Sequence, residues 1–349
     1  MAPMRVSILP LIFAVLGLVF SNCSGDIKDI PLKGCSKISG MPGPEDLAID
    51  RDAGLLYVSS HERRIKDQEG KIYFLDLNSS PLEPKLLEVE YPKNFRPHGI
   101  SLLNQNGKYR LYVISHIALY KEHSIEVFER TEKPSAKSKA GKWKHVQTLQ
   151  DPLVTSPNDL SVASENEIFV SNDHGEGGFM LYLFHDLFRM KRSEIAYFDG
   201  KSWSSLGNPV SLGNGILYVK RPDGKEILYR SSFNEGTVLK FDIKRENGKI
   251  KLGEPKSILL GSGPDNLEID EKGNIFTVTH PSVMKFLKHA SNAESHSPTK
   301  IFSISPDDSI LEIFSNSGEL ISAGSTALTY KERVYIAQVF NDFILQCQL

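Results

Sequence analysis

The chain has 349 residues, 24% charged and 40% hydrophobic, with a formal net charge of −2. That is the composition of an ordinary folded domain, and its near-neutral balance lacks the basic stripe that nucleic-acid binding shows. The sequence contains no Gly-rich phosphate loop, no HExxH and no CxxC.

In chain order, Arg5 precedes the uncharged run Val6 to Phe20. This run suits a signal-peptide core, whereas a membrane span needs about 20 apolar residues. Residues 1–22 are expected to be a signal peptide, 23–34 a tether and 35–349 the folded domain. Cys23 follows small residues at the end of the core, which resembles a bacterial lipoprotein signal with Cys23 as the lipidated residue. A plain secretory signal and an uncleaved anchor are the alternatives. In each case the folded part is exported, either secreted or held at the cell envelope. The remaining cysteines, Cys35 and Cys347, stand at the two ends of the folded part. A bridge between them would tie the termini in an oxidising compartment. Two unrelated thiols are the alternative, and the repeats described next favour the bridge by placing both ends in one blade.

Six stretches share one form: a turn, a small polar cluster, an apolar run, a second turn and a strand-like run. They begin at Gly43, Arg96, Ser156, Leu212, Gly263 and Gly324. With Glu45, His98, Asn158, Asn214, Asp265 and Ser325 as anchors, the spacings are 53, 60, 56, 51 and 60 residues. Repeats of that length suit one four-stranded blade each. The runs KIYFLDL, SIEVFER, TVLKFDI and TKIFSIS alternate apolar and polar residues, as half-buried strands do. The expectation is an all-β fold, a six-bladed β-propeller. A pair of β-sandwiches is the runner-up and leaves six even anchors unexplained.

One helical signal interrupts the strands. Met180, Leu183, Phe184, Leu187 and Phe188 recur at helical spacing, followed by Arg189, Lys191 and Arg192. A helix over 179–190 is expected as a short lid over the central tunnel, or as a membrane contact. A helix packed on the propeller top is the alternative.

In a propeller, equivalent residues of every blade point at one axis. Glu45, Asn158, Asn214, Asp265 and Asn266 then offer two carboxylates and three amide oxygens, a hard-oxygen set that suits Ca²⁺ better than Zn²⁺. Asp46 and Asp159 stand one residue further along. Neighbours on a strand point to opposite faces, which suggests a second, deeper ion. Any one of these residues alone would be read as a turn cap; five at equivalent positions are not. His98 is itself an anchor and His116 ends a strand of the same blade. Such a pair beside a metal can activate water, and two structural histidines are the alternative. His280 falls at a matching place too.

The ordered motifs PEDLAID, RPHGIS, PNDL, LGNGI, PDNLEID and HPSVMKF resemble the paraoxonase/arylesterase family of calcium-dependent lactonases, from Cys35 to Cys347. The resemblance implies a six-bladed propeller with two calcium ions in its tunnel. It implies Glu45, Asn158, Asn214, Asp265 and Asn266 as ligands of a catalytic calcium. Asp46, Asp159 and the backbone carbonyl of Ile100 match the structural calcium site. His98 and His116 match the family's dyad, with His98 as the base assisted by His116, and Cys35 and Cys347 match its terminal disulfide. The substrate expected is a small carboxylic ester or lactone. The chain departs from the family in the charged loop SSHERRIKDQEG, in Leu212 before GNG, and in a segment before His116 that is one residue shorter. A sugar-lactone hydrolase resembling gluconolactonases and a non-catalytic, calcium-stabilised scaffold are the alternative functions.

Overall fold

The stretch Leu55–Ser60 is buried at every position. A strand covered on both faces reads as a continuous apolar or small run rather than an alternation, and this strand is the second of a blade sandwiched between two others. The computed structural model describes residues 27–65, 67–118 and 121–349. In it the chain winds into six antiparallel sheets, as the repeat spacing predicts. The innermost strands are Pro44–Asp50, Pro97–Gln105, Pro157–Ser164, Gly213–Lys220, Gly263–Ile269 and Gly324–Tyr330. Five sheets have four strands; blade four carries a fifth, Lys256–Leu259, beside Thr237–Glu246.

The core is six separate layers, one between each pair of adjacent blades. Tyr57, Phe74 and Ile72 of blade one meet Leu111, Val113 and Phe128 of blade two. Leu103, Tyr112 and Val127 meet Leu160, Ile168 and Val170 of blade three. Phe169 and Tyr197 meet Leu228 and Phe241, and Tyr229 and Val238 meet Leu267 and Ile275. Val278 and Phe314 meet Val334 and Ile336, and Leu328 and Tyr335 of blade six meet Leu47 and Val58 of blade one. Burial of a large aliphatic or aromatic side chain contributes about 1.5–3 kcal/mol, so these interdigitated layers hold the ring.

Blade six closes the ring. Its strands Gly324–Tyr330, Arg333–Gln338 and Phe343–Gln348 are joined by the N-terminal strand Lys33–Ser39. Cys35 and Cys347 are disulfide-bonded across that junction, 312 residues apart in sequence. The expected signal segment and Cys23 lie outside the described residues. Residues 27–34, expected as a tether, lie on the propeller instead. Ile30 pairs with Ser315, the Ser315 hydroxyl donates to the Lys28 carbonyl at 2.6 Å, and Leu32 packs on the layer between blades five and six.

Two helices stand out among the described residues, α1 (Phe179–Leu187) and α2 (Val283–Ser291). Each follows a second strand at the end that pairs with the anchor, after Asn172 and after His280. Both therefore rise from the face where the anchors sit. The α1 expectation holds in place, but the helix ends at Leu187 rather than 190 and its stripe faces outward: Met180 and Phe188 are 74% and 61% exposed, and the buried residues are Tyr182 and His185. The sequence signal missed α2, a nine-residue helix whose N-cap Ser282 accepts from Lys285 N.

Candidate active site

On all six innermost strands the pairing with the second strand slips at the anchor. The shifts fall at Pro44/Asp46, Pro97/Ile100, Pro157/Asp159, Gly213/Ile216, Pro264/Leu267 and Gly324/Ala327. Each inserts one extra residue, a β-bulge, which turns side chains that simple alternation would send to opposite faces. Consecutive residues such as Glu45 with Asp46, or Asp265 with Asn266, therefore share the tunnel. Gly99 and Gly215 let neighbouring bulges approach. A Cβ on Gly99 would lie 2.6 Å from Asn158 O, and one on Gly215 would lie 2.5 Å from Asp265 O.

The upper group joins several blades. Asn266 Nδ2 donates to Glu45 Oε1 at 3.0 Å and to Thr326 Oγ1 at 2.9 Å. His280 Nε2 lies 2.7 Å from Asp265 Oδ2, and Ser231 donates to Asp265 O at 2.6 Å. Glu45 Oε2, Asn158 Oδ1, Asn214 Oδ1 and Asn266 Oδ1 are buried without a hydrogen-bond partner. An unpaired buried acceptor costs about 1–3 kcal/mol, so four such oxygens at or beside the inner-strand bulges call for a positive partner. Burial and the neighbouring Asp46 and Asp265 push the Glu45 carboxyl well above its usual range. The donors are oxygens, and a hard cation fits them. Among the described residues no three His, Cys, Asp or Glu side chains form a metal group by themselves; this set depends on its amides.

The lower group is satisfied differently. Asp46 Oδ2 accepts from Ile100 N and Asp159 Oδ2 from Ile216 N, each at 2.7 Å, stitching blade one to two and three to four. Asp46 Oδ1 also accepts from Leu47 N and Thr326 Oγ1, and Asp159 Oδ1 from Leu160 N. None of these oxygens is orphaned. Asp46, Ile100, Asp159 and Glu268 line a cavity of about 220 Å³ below the upper group. Burial lifts Asp46 to about 6 and Asp159 well above its usual range.

His98 sits at the rim, its Nδ1 3.9 Å from Glu45 Oε2. The rings of His98 and His116 meet edge to face at 4.9 Å. The nearest polar partners of the two rings are residues the repeats did not flag. Arg63 Nη2 lies 3.0 Å from His98 Nδ1, and His123 Nδ1 lies 2.8 Å from His116 Nδ1. Arg63 comes from the charged loop singled out as a departure, and His123 from the strand next to His116. Neither has an equivalent in other blades, so periodicity could not find them. Arg63 is itself fixed by the carbonyls of Gly43, His61 and Val339.

Above the group, α2 lays Phe286 against the His280 ring at 4.7 Å. Helix α1 is pinned through His174, whose ring stacks on Tyr182 and lies 3.0 Å from both Asp173 and Asp186. Burial alone would lower the His174 pKa, but the two carboxylates outweigh it and push it up to about 9. A raised folded-state pKa stabilises fully below the unfolded value of about 6.5 and is lost as pH rises through the folded one. Protection of α1 amides is therefore expected to fall between pH 7 and pH 9.5, by about 1–2 kcal/mol after solvent screening of Asp186. Protection factors from hydrogen exchange check this. A profile unchanged by His174→Gln would contradict it.

A ring of bulged inner strands, buried polar oxygens toward its axis and two helices on one face define a six-bladed propeller with a polar centre. Residues 44–349 match the Arylesterase family, and the chain belongs to it; members of this family are carboxylic ester hydrolases. The chain is 25% identical over 344 residues to serum paraoxonase/arylesterase 2 of Gallus gallus, covering 94% of this chain and 92% of that one. It is 24% identical to serum paraoxonase/lactonase 3 of Mus musculus, covering 93% and 91%. Among solved structures, a gluconolactonase from Xanthomonas campestris superimposes with a TM-score of 0.53 at 12% identity, over 94% of this chain and 99% of that one. That likeness concerns the fold alone.

Proposed function

We propose that this protein is an exported, calcium-dependent hydrolase of small carboxylic esters and lactones. The observation that supports the proposal is that Glu45, Asn158, Asn214 and Asn266, at or next to equivalent bulges of four innermost strands, each carry a buried oxygen without a partner. These four residues and Asp265 would hold one calcium. Asp46, Asp159 and the Ile100 carbonyl would hold a second, whose role is to keep the lower tunnel together. A bound calcium supplies charge that polarises an ester carbonyl and stabilises the oxyanion formed from it.

The chain's own groups do the rest. Burial and the Arg63 cation hold His98 well below the ordinary histidine pKa, and burial and His123 do the same for His116. Both are neutral at neutral pH, and a neutral imidazole beside the site can accept a proton from attacking water. Asp265 holds His280 in place, and the Phe286 ring excludes water from that side. Export agrees with the disulfide and with the serum origin named for the relatives. The exposed apolar residues of α1 and a lipid on Cys23 are the two proposed membrane contacts.

Hydrolysis of phenyl acetate and of an aliphatic lactone, before and after exhaustive chelation, tests the function. Both activities should disappear with the metal and return with calcium. Undiminished turnover in protein shown to be metal-free would end the calcium assignment. Absence of both activities in calcium-loaded protein would end the hydrolase assignment.

A further inference from the structure

His98 and His116 are inequivalent in their bonding. A guanidinium has donors only, so Arg63 Nη2 must donate to His98 Nδ1. The ring proton of neutral His98 then sits on Nε2, and the Nδ1 that lies 3.9 Å from Glu45 Oε2 is already occupied as an acceptor. His116 is bonded elsewhere, Nδ1 to Nδ1, with His123 at 2.8 Å. A hydrogen bond between two neutral imidazoles has one donor and one acceptor. The Nε2 of His116 has no hydrogen-bond partner among the described residues. The Nε2 of His123 is buried and also lacks one. The His123 side chain lines a second cavity of about 470 Å³, between the upper loops of blades two and three, with Lys121, Glu122, Asp151 and Glu176.

We propose that His116, bonded to His123, is the proton acceptor of the hydrolysis, and that His123 connects it to solvent through this second cavity. The proposal rests on the hydrolase function above. As the water oxygen bonds to the carbonyl carbon, its proton goes to His116 Nε2. The proton on His116 Nδ1 passes to His123 Nδ1, and the proton on His123 Nε2 leaves to a water admitted from the cavity. When the bond to the leaving oxygen breaks, the same path run backwards returns a proton to that oxygen. The acid product's own proton is the net release. His98, whose Nδ1 is taken by Arg63, is left out of the proton path.

The surroundings suit this division. His116 faces the cations Arg63 and Arg96 and the rings of His61, His98 and His123, which together with burial keep it neutral. His123 faces Asp173 and Glu122, which favour a transient positive charge there against the effect of burial. A proton leaving the tunnel thus moves from a cationic to an anionic neighbourhood.

The test uses the full chain with calcium, in weak buffer, on phenyl acetate and a lactone. His116→Gln should lower kcat about 100-fold, the scale of a general base. His123→Ala should lower kcat about tenfold with KM unchanged, and added imidazole should restore it, because a small base can stand in for a missing relay group. A His123→Ala protein with wild-type kcat overturns the relay. So does a folded one whose lost activity no imidazole recovers, since His123 would then be structural. A second readout needs no activity: ring ¹⁵N NMR should show neutral His98 protonated at Nε2 and neutral His116 at Nδ1. His116 protonated at Nε2 overturns the proposal whatever the kinetics. If the wild type hydrolyses neither substrate but shows the expected tautomers, the hydrolase function fails while the bonded histidine path stands.

Discussion

Asp265→Ala is expected to lower kcat/KM on an aryl ester and on a lactone together, by about 10³-fold. Asp265 is one of two carboxylates in a group whose other oxygens come from uncharged amides. Without it the orphaned oxygens of Asn158, Asn214 and Asn266 surround a single charge on Glu45, and cation affinity falls with ligand charge. The loss also frees His280, whose Nε2 sits 2.7 Å from Asp265 Oδ2. Asp46→Ala provides the contrast. Asp46 holds Ile100 N and Thr326 across blade boundaries, so its removal should mainly lower the melting temperature. Kinetics, metal content and thermal melts on both variants decide the matter. An active Asp265→Ala protein with normal calcium content would remove Asp265 from the site.

The second large effect concerns ring closure. Replacing Cys35 and Cys347 by serine removes a cross-link spanning 312 residues. In the chain-entropy description that destabilises by about 6 kcal/mol as an upper figure. For a domain of this size it amounts to about 10 °C in Tm. The strand Lys33–Ser39 keeps its pairing with Phe343–Gln348, so the double variant should still fold and hydrolyse at low temperature. Its weakness should appear first at blade six, as early hydrogen exchange in Lys33–Ser39. A melt identical to the wild type would mean the six apolar layers close the ring unaided.

Much of this architecture is written as repetition. Glu45, Asn158, Asn214 and Asp265 could be picked out because each stands at the same place in its repeat, and repetition maps onto the propeller axis. The pairing of Glu45 with Asp46 in one tunnel was not legible in that way. Strand alternation sends them apart, and only the slip in register brings them together. Arg63 and His123 were invisible for another reason. One comes from a loop and the other from the third strand of a blade, and each acts once. The apolar stripe of α1 was read correctly as a stripe. Helical spacing shows that a face is apolar, but not that the propeller beneath it leaves that face bare.

The repeated bulge separates scaffold from chemistry. In this one chain the six equivalent positions carry Glu45, His98, Asn158, Asn214, Asp265 and Ser325 on the same backbone slip. The strand does not depend on which side chain it presents, since the layers that hold it lie between blades and away from the axis. An inherited ring can therefore exchange its axial residues one at a time while the walls stay in place. Divergence in such a lineage would change what is bound long before it changes the shape that binds it.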